Sequence, residues 1–195
     1  MVNRYKMIEQ KSIYKTASQT LSASRVYILI SVLVYVLSAL AGWIYSAELD
    51  FLRLQFEELV QKFEGLNAFE FIVRIFIHNS IAAYLAMCFV VLWGIVPLAL
   101  AIFNGLILGW FAGWMNEASW AELLLVLAPH GIFEWSALFI AFGVGMWRGL
   151  GNFFTGQALS WAERWKRANA VFFIFVVPLL LLAAVIEGRY HLFKM

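Results

Sequence analysis

The chain has 195 residues, of which 64% are hydrophobic and only 13% charged, with a mean hydropathy of +0.82. A soluble domain carries about 25% charged and about 45–50% apolar residues, so this composition excludes a soluble globular domain and belongs to a membrane protein. The net charge is only +2, and its basic residues gather at the ends of the chain and before the last apolar run. Charge is therefore a guide to topology and gives no basis for a nucleic-acid partner.

Residues 1–25 are polar and basic, with Arg4, Lys6, Lys11, Lys15 and Arg25 and a Ser/Thr-rich segment from Thr16 to Ser24. They read as a cytoplasmic tail, helical only in part. Residues 26–47 are apolar and uncharged, long enough at about 1.5 Å per residue to cross a hydrocarbon core of about 30 Å. This first span is expected to act as an uncleaved signal-anchor. Residues 48–65 alternate Leu52, Phe56, Leu59, Val60 and Phe63 with Arg53, Glu57, Glu58, Lys62 and Glu64, the spacing of an amphipathic helix lying in the membrane interface. Arg53/Glu57 and Glu58/Lys62 are also spaced as ion pairs one turn apart.

The second span, 71–93, carries Arg74, His78, Asn79 and Ser80 and the single cysteine, Cys88, which can form no internal disulfide. The third, 98–115, has Asn104 at its middle, followed by Gly105, Gly109 and Gly113 at four-residue intervals. Such a stripe on one face lets another backbone approach closely, so a second helix is expected against it. Residues 119–148 would make a straight helix of about 45 Å, too long for a bilayer without strong tilt. Pro129 and Gly131 are expected to divide it into a broken or re-entrant segment at 120–131 and a fourth span at 131–147, with Gly145 and Gly149 as a second close-packing pair. Residues 153–167, with Phe153, Phe154, Trp161 and Trp165 among Arg164, Lys166 and Arg167, read as a basic elbow helix. The fifth span, 171–186, is closed by Glu187.

The fold expected is thus all-α: a 1–25 tail and a 26–195 membrane domain of five transmembrane helices with amphipathic interfacial helices. Positive-inside counting orients it. The tail has five Lys/Arg and 148–167 has four, whereas 48–70 has two and 116–122 none, which puts the N-terminus inside and the C-terminus outside the cell membrane. Trp43, Trp110, Trp114 and Trp120 would anchor the outer edge, and Trp93 and Trp147 the inner one.

Ionisable groups at membrane depth cost about 2.5–3.5 kcal/mol each on insertion scales, so His130 and Glu134, set in Pro129-His130-Gly131-Ile132-Phe133-Glu134, mark the centre of interest. With this topology His78 and Asn79 lie about 12 Å below the outer edge. Asn104, His130 and Glu134 reach compatible depths, and Arg74 and Glu187 complete the polar set. Three readings stay open. His78, His130 and Glu134 suit a divalent ion such as zinc. The same residues can line a path for a proton, ion or small solute. Or they are structural: interhelical hydrogen bonds, with Glu134 in the first turn of a helix that begins at Gly131. No H-E-x-x-H, G-x-S-x-G or phosphate-binding glycine loop is present, so no complete catalytic set is legible; were the chain an enzyme, Glu134 would be its ligand or base.

His78-Asn79, Asn104-Gly105, Pro129-His130-Gly131 with Glu134, and Glu187 closing the last span, in this order over residues 26–190, resemble the stage II sporulation protein M family of integral membrane proteins. The resemblance implies a five-span α-helical membrane protein and, in spore formers, work with partner proteins in peptidoglycan remodelling during engulfment. That sporulation role does not carry over to this chain. The expected function is a non-enzymatic membrane subunit, lodged in the lipid bilayer, that dimerises or recruits a membrane-protein partner through its glycine-striped and surface helices. A transporter or channel-like protein and an intramembrane metal-dependent hydrolase are the alternatives.

Overall fold

The structure, a computed structural model, describes the backbone of residues 2–89, 94–115, 120–154 and 159–192, and the side chains of 12–89, 94–115, 128–151 and 159–189. Its regular elements are all helices. They run α1 (Val2–Ala23), α2 (Arg25–Ile44), α3 (Leu52–Gln61), α4 (Ala68–Cys88), α5 (Ile95–Trp114), α6 (Trp120–Phe154) and α7 (Trp161–Val171), then a π-helical turn (Phe172–Val176) leading into α8 (Val177–Leu192).

Among the described residues, four stretches are long and apolar enough to cross a membrane: Arg25–Ile44, Ala68–Cys88, Ile95–Trp114 and Trp161–Arg189. Their outward faces fit that role. On α2, Leu29, Leu33, Leu37, Leu40 and Ile44 are all exposed, a stripe that water would penalise and lipid solvates. The expected fourth span, 131–147, lies within α6 and is not one of the four. That helix is the axis of the bundle: residues 141–149 are all buried, and α2, α4, α5, α7 and α8 pack around it. A helix shielded by protein needs less hydrophobicity than one facing lipid, which is how α6 accommodates His130, Glu134 and Arg148.

The glycine stripe meets α2 of the same chain. A Cβ at Gly105 would run into the Tyr35 carbonyl oxygen, one at Gly109 into that of Ala39, and one at Gly113 would lie 2.6 Å from Ser46 Cβ. From the other side, a Cβ at Gly42 would strike the Leu106 carbonyl. Ser38, Ala39, Gly42 and Ser46 thus form a complementary stripe of small residues, and the two backbones touch. The face expected to serve a dimer is used up inside the chain. Gly145 packs in the same manner, its notional Cβ 2.7 Å from the Ala86 carbonyl oxygen and 2.9 Å from Pro97 Cγ; Gly149 is buried in the same stretch of α6.

Several expectations are corrected. The polar tail is a helix, α1, laid along α7: Ala17, Thr20 and Ser24 are fully buried, and Tyr14 meets Phe175 at 6.0 Å. The spacing of those small residues makes one flat face, and Thr20 and Ser24 satisfy their hydroxyls on carbonyls four residues back. No break or re-entrant loop occurs at 120–131. Residues 120–154 are one helix of 35 residues, about 52 Å long, running through Pro129. Proline deletes one hydrogen bond, and a packed bundle tolerates the loss. The elbow and the fifth span are likewise continuous. The π turn ends two residues before Pro178, and its wider coil makes room for the ring against the Ile174 carbonyl.

The amphipathic segment is α3, docked on the end of α5. Phe56 packs on Trp110, Phe111 and Trp114 at 5.9, 5.1 and 6.4 Å, and Arg53 spans the Glu57 carboxylate (2.9 Å) and the Trp114 ring (5.5 Å). Trp110 and Trp147 are buried inside the bundle rather than set at its lipid rim as anchors; Trp114 and Trp43 remain half-exposed. The side chains of Trp93 and Trp120, of Phe153 and Phe154, and of Arg4, Lys6 and Lys11 lie outside the described residues.

Candidate functional site

Three helices build the site. Asn79 stands on α4, His130 and Glu134 one turn apart on α6, and Glu187 on α8, and these helices pack on one another. The face that each turns inward is set by its apolar neighbours. On α4 the buried residues are Ala68, Phe71, Ala83, Ala86 and Met87, and Asn79 falls on the same stripe. On α8, Gly188 lets the backbone close on Ile72 of α4, which swings the adjacent Glu187 toward α6.

One ligand atom from each of His130, Glu134 and Glu187 lies within 4.8 Å of the other two. The Asn79 amide donates a 3.1 Å hydrogen bond to Glu134 Oε1, which holds that carboxylate in place. His130 Nδ1 is buried without a hydrogen-bond partner. Two ionised carboxylates at such a separation repel by at least about 3.5 kcal/mol at an effective dielectric constant of about 20, so the arrangement favours a cation or a shared proton between them. One imidazole and two carboxylates are a zinc-type ligand set with a fourth position left for water or substrate, and manganese or iron would also accept it.

Because α6 is continuous through 120–154, Glu134 is deep in a helix and has no free N–H groups to cap. The first-turn role that the sequence allowed it is therefore removed. Gly131 serves α6 differently, giving room to the Trp135 indole, whose nearest carbon would stand 3.2 Å from a Cβ there.

The other expected residues lie elsewhere. His78 is exposed and edge-on to Phe63 at 6.4 Å, a turn of about 100° from Asn79, and does not join the group. Glu187 stands where the sequence suggested His78. Arg74 is exposed and donates to the Lys62 carbonyl (2.7 Å), tying the loop after α3 to α4; Glu70 is engaged in a capping box with Asn67. Asn104 donates to Leu100 of its own helix (2.8 Å).

A second polar group, at the other end of α6, was counted in the sequence only as topological charge. Arg148 and Arg164 are 5% and 4% exposed. Arg148 donates to the Met87 carbonyl at the C-terminus of α4 (2.6 Å), and Arg164 to the Arg148 carbonyl (2.9 Å). Tyr84 donates to Asn169 nearby (3.0 Å). The available signal was the position of Arg148, abruptly closing an apolar run.

Among known proteins, the family model described as Stage II sporulation protein M matches residues 31–190, most of the chain and all four of Asn79, His130, Glu134 and Glu187. No curated protein and no solved structure is similar enough to match. With helices of membrane-spanning length and a match of this extent, the chain is a multi-pass membrane protein that belongs to the stage II sporulation protein M family.

Proposed function

We propose that the chain is a cell-membrane subunit whose functional centre is a divalent-cation site of the zinc class, formed by His130, Glu134 and Glu187 and steadied by Asn79. The convergence of three ligand atoms within 4.8 Å carries this reading. The orphaned His130 Nδ1 supports it, since a buried imidazole nitrogen normally has a partner. The ion ties α6 to α8, and through Asn79 to α4, fixing the surface that a membrane-protein partner meets. In this reading α6 is the fifth crossing, the N-terminus is cytoplasmic and the C-terminus external, as the distribution of Lys and Arg indicates.

Elemental analysis and zinc titration of detergent-purified protein test it. About one ion per chain is expected, with affinity reduced about 100-fold or more in His130→Ala, Glu134→Gln and Glu187→Gln and unchanged in His78→Ala. Wild-type protein that takes up no stoichiometric ion, or loss of binding in His78→Ala alone, would sink the assignment.

A second reading rests on the paired carboxylates at bilayer depth, which are typical of proton and cation paths. It requires cation or proton flux into proteoliposomes that disappears in Glu134→Gln and Glu187→Gln. Equal flux in wild type and variants removes it.

A further inference from the structure

The polar group around Arg148 and Arg164 poses a separate question of charge. Arg148 and Arg164 are more than nine-tenths buried, yet among the described residues neither has a carboxylate within ion-pair distance. The ion pairs among the described residues are Arg53–Glu57 and Arg167–Glu163, and the second of these engages the one acidic side chain on α7. Each buried guanidinium donates from Nη1 to a backbone carbonyl, Arg148 also meets the Cys88 thiol, and the Nε of each is sealed from solvent with no partner. Carbonyl dipoles and rings soften this but do not neutralise it. The Arg148 guanidinium lies 4.5 Å from the Trp165 ring centre and 5.9 Å from that of Trp161, and Arg164 lies 5.1 Å from Trp161. Burying an uncompensated ion costs several kcal/mol, and here two like charges share one place.

The surroundings indicate what restores the balance. Arginine forks match phosphate oxygens bidentately and aromatic rings flank them without competing for that bond. Trp161 and Trp165 are 52% and 40% exposed, the usual condition of indoles at a membrane–water boundary, so the rim of the group opens toward headgroups. The N-terminus of α7, capped by Ser160, directs the positive end of its helix dipole to this corner.

We infer that Arg148 and Arg164, framed by Trp161 and Trp165, form a phosphate-binding site at the end of α6 opposite the cation cluster, and that it takes the phosphate of an anionic phospholipid headgroup or free phosphate. This does not depend on the metal reading. An occupied site fastens α7 to the ends of α4 and α6, the junction from which the α7–α8 helix starts.

The test uses full-length protein reconstituted in phosphatidylcholine nanodiscs with and without phosphatidylglycerol, read by native mass spectrometry, and the detergent-solubilised protein titrated with inorganic phosphate. One retained phosphatidylglycerol per chain, displaced by added phosphate, is expected and identifies the lipid as the source. Phosphate binding with no lipid preference supports the site and identifies a soluble source. Arg148→Lys and Arg164→Lys keep the charge but lose the fork, and binding should weaken about tenfold in each. Lys166→Gln, outside the buried pair, should bind as wild type. The inference is overturned if wild type holds neither ligand, or if both Lys variants bind as tightly as wild type. The wild-type arm decides even where a variant fails to fold.

Discussion

Replacing Gly109 by alanine tests the contact on which half of the bundle rests. A Cβ there would overlap the Ala39 carbonyl oxygen and stand 2.7 Å from the Ala39 carbonyl carbon and 2.8 Å from Trp43 N. All three are backbone atoms of α2, so no side chain can rotate away and the helix itself must retreat. Overpacking of this kind costs about 1–3 kcal/mol, and rigid backbone neighbours put the cost near the upper end. Alanine's better helix propensity returns about 1 kcal/mol, leaving a net loss of about 2 kcal/mol, or roughly 30-fold in the folding equilibrium. Unfolding in mixed micelles by titration with dodecyl sulfate, followed by far-ultraviolet circular dichroism, reads this directly. Gly65→Ala is the comparison. Nothing lies within 4 Å of that position, so its cost is limited to the left-handed backbone at φ +72°, about 1 kcal/mol. The reasoning is refuted if Gly109→Ala is as stable as wild type. It is also refuted if that variant keeps its stability but loses a dimer, since the stripe would then face a second copy.

Other substitutions separate the remaining parts. Phe56→Ala removes the ring that holds α3 on Trp110, Phe111 and Trp114; amide exchange over residues 52–61 should accelerate about tenfold while α5 stays protected. Asn79→Ala leaves the three ligands present but frees the Glu134 carboxylate, so zinc affinity should fall about 10–100-fold with helix content unchanged. Metal ligands must be deprotonated, so bound zinc should be released on acidification to about pH 5, measurable by dialysis and elemental analysis. Glu163→Gln breaks a partly exposed ion pair with Arg167 and should cost at most about 0.5 kcal/mol in the same micelle titration.

Comparison of particular elements shows where the sequence was sufficient. The class was legible because lipid imposes a simple requirement: uninterrupted apolar length with every backbone group satisfied within a helix. Spans at 26–47, 71–93 and 98–115 were placed within a few residues of α2, α4 and α5 at most ends. The family resemblance was legible for a different reason, since Asn-Gly, Pro-His-Gly-x-x-Glu and the closing Glu187 are local patterns. Pro129 misled because helix-breaking is a local tendency, and in α6 the surrounding helices outweigh it.

Composition, helical period and the order of its polar residues determined that this chain is an all-helical membrane protein with ionisable groups in its apolar runs. Only the tertiary structure decided which of those groups meet. His78 and Asn79 are neighbours in sequence, and the packing of Phe71 and Ala83 chooses Asn79; Arg74 and Glu187 were both in the polar set, and Glu187 joins the cluster where Gly188 closes on α4. The glycine stripe announced a close contact, but its partner could be read only from the small residues of α2 brought opposite it. Sequence periodicity fixes the faces of a helix. Which face meets which neighbour depends on contacts between residues far apart in the chain, and no local pattern contains them.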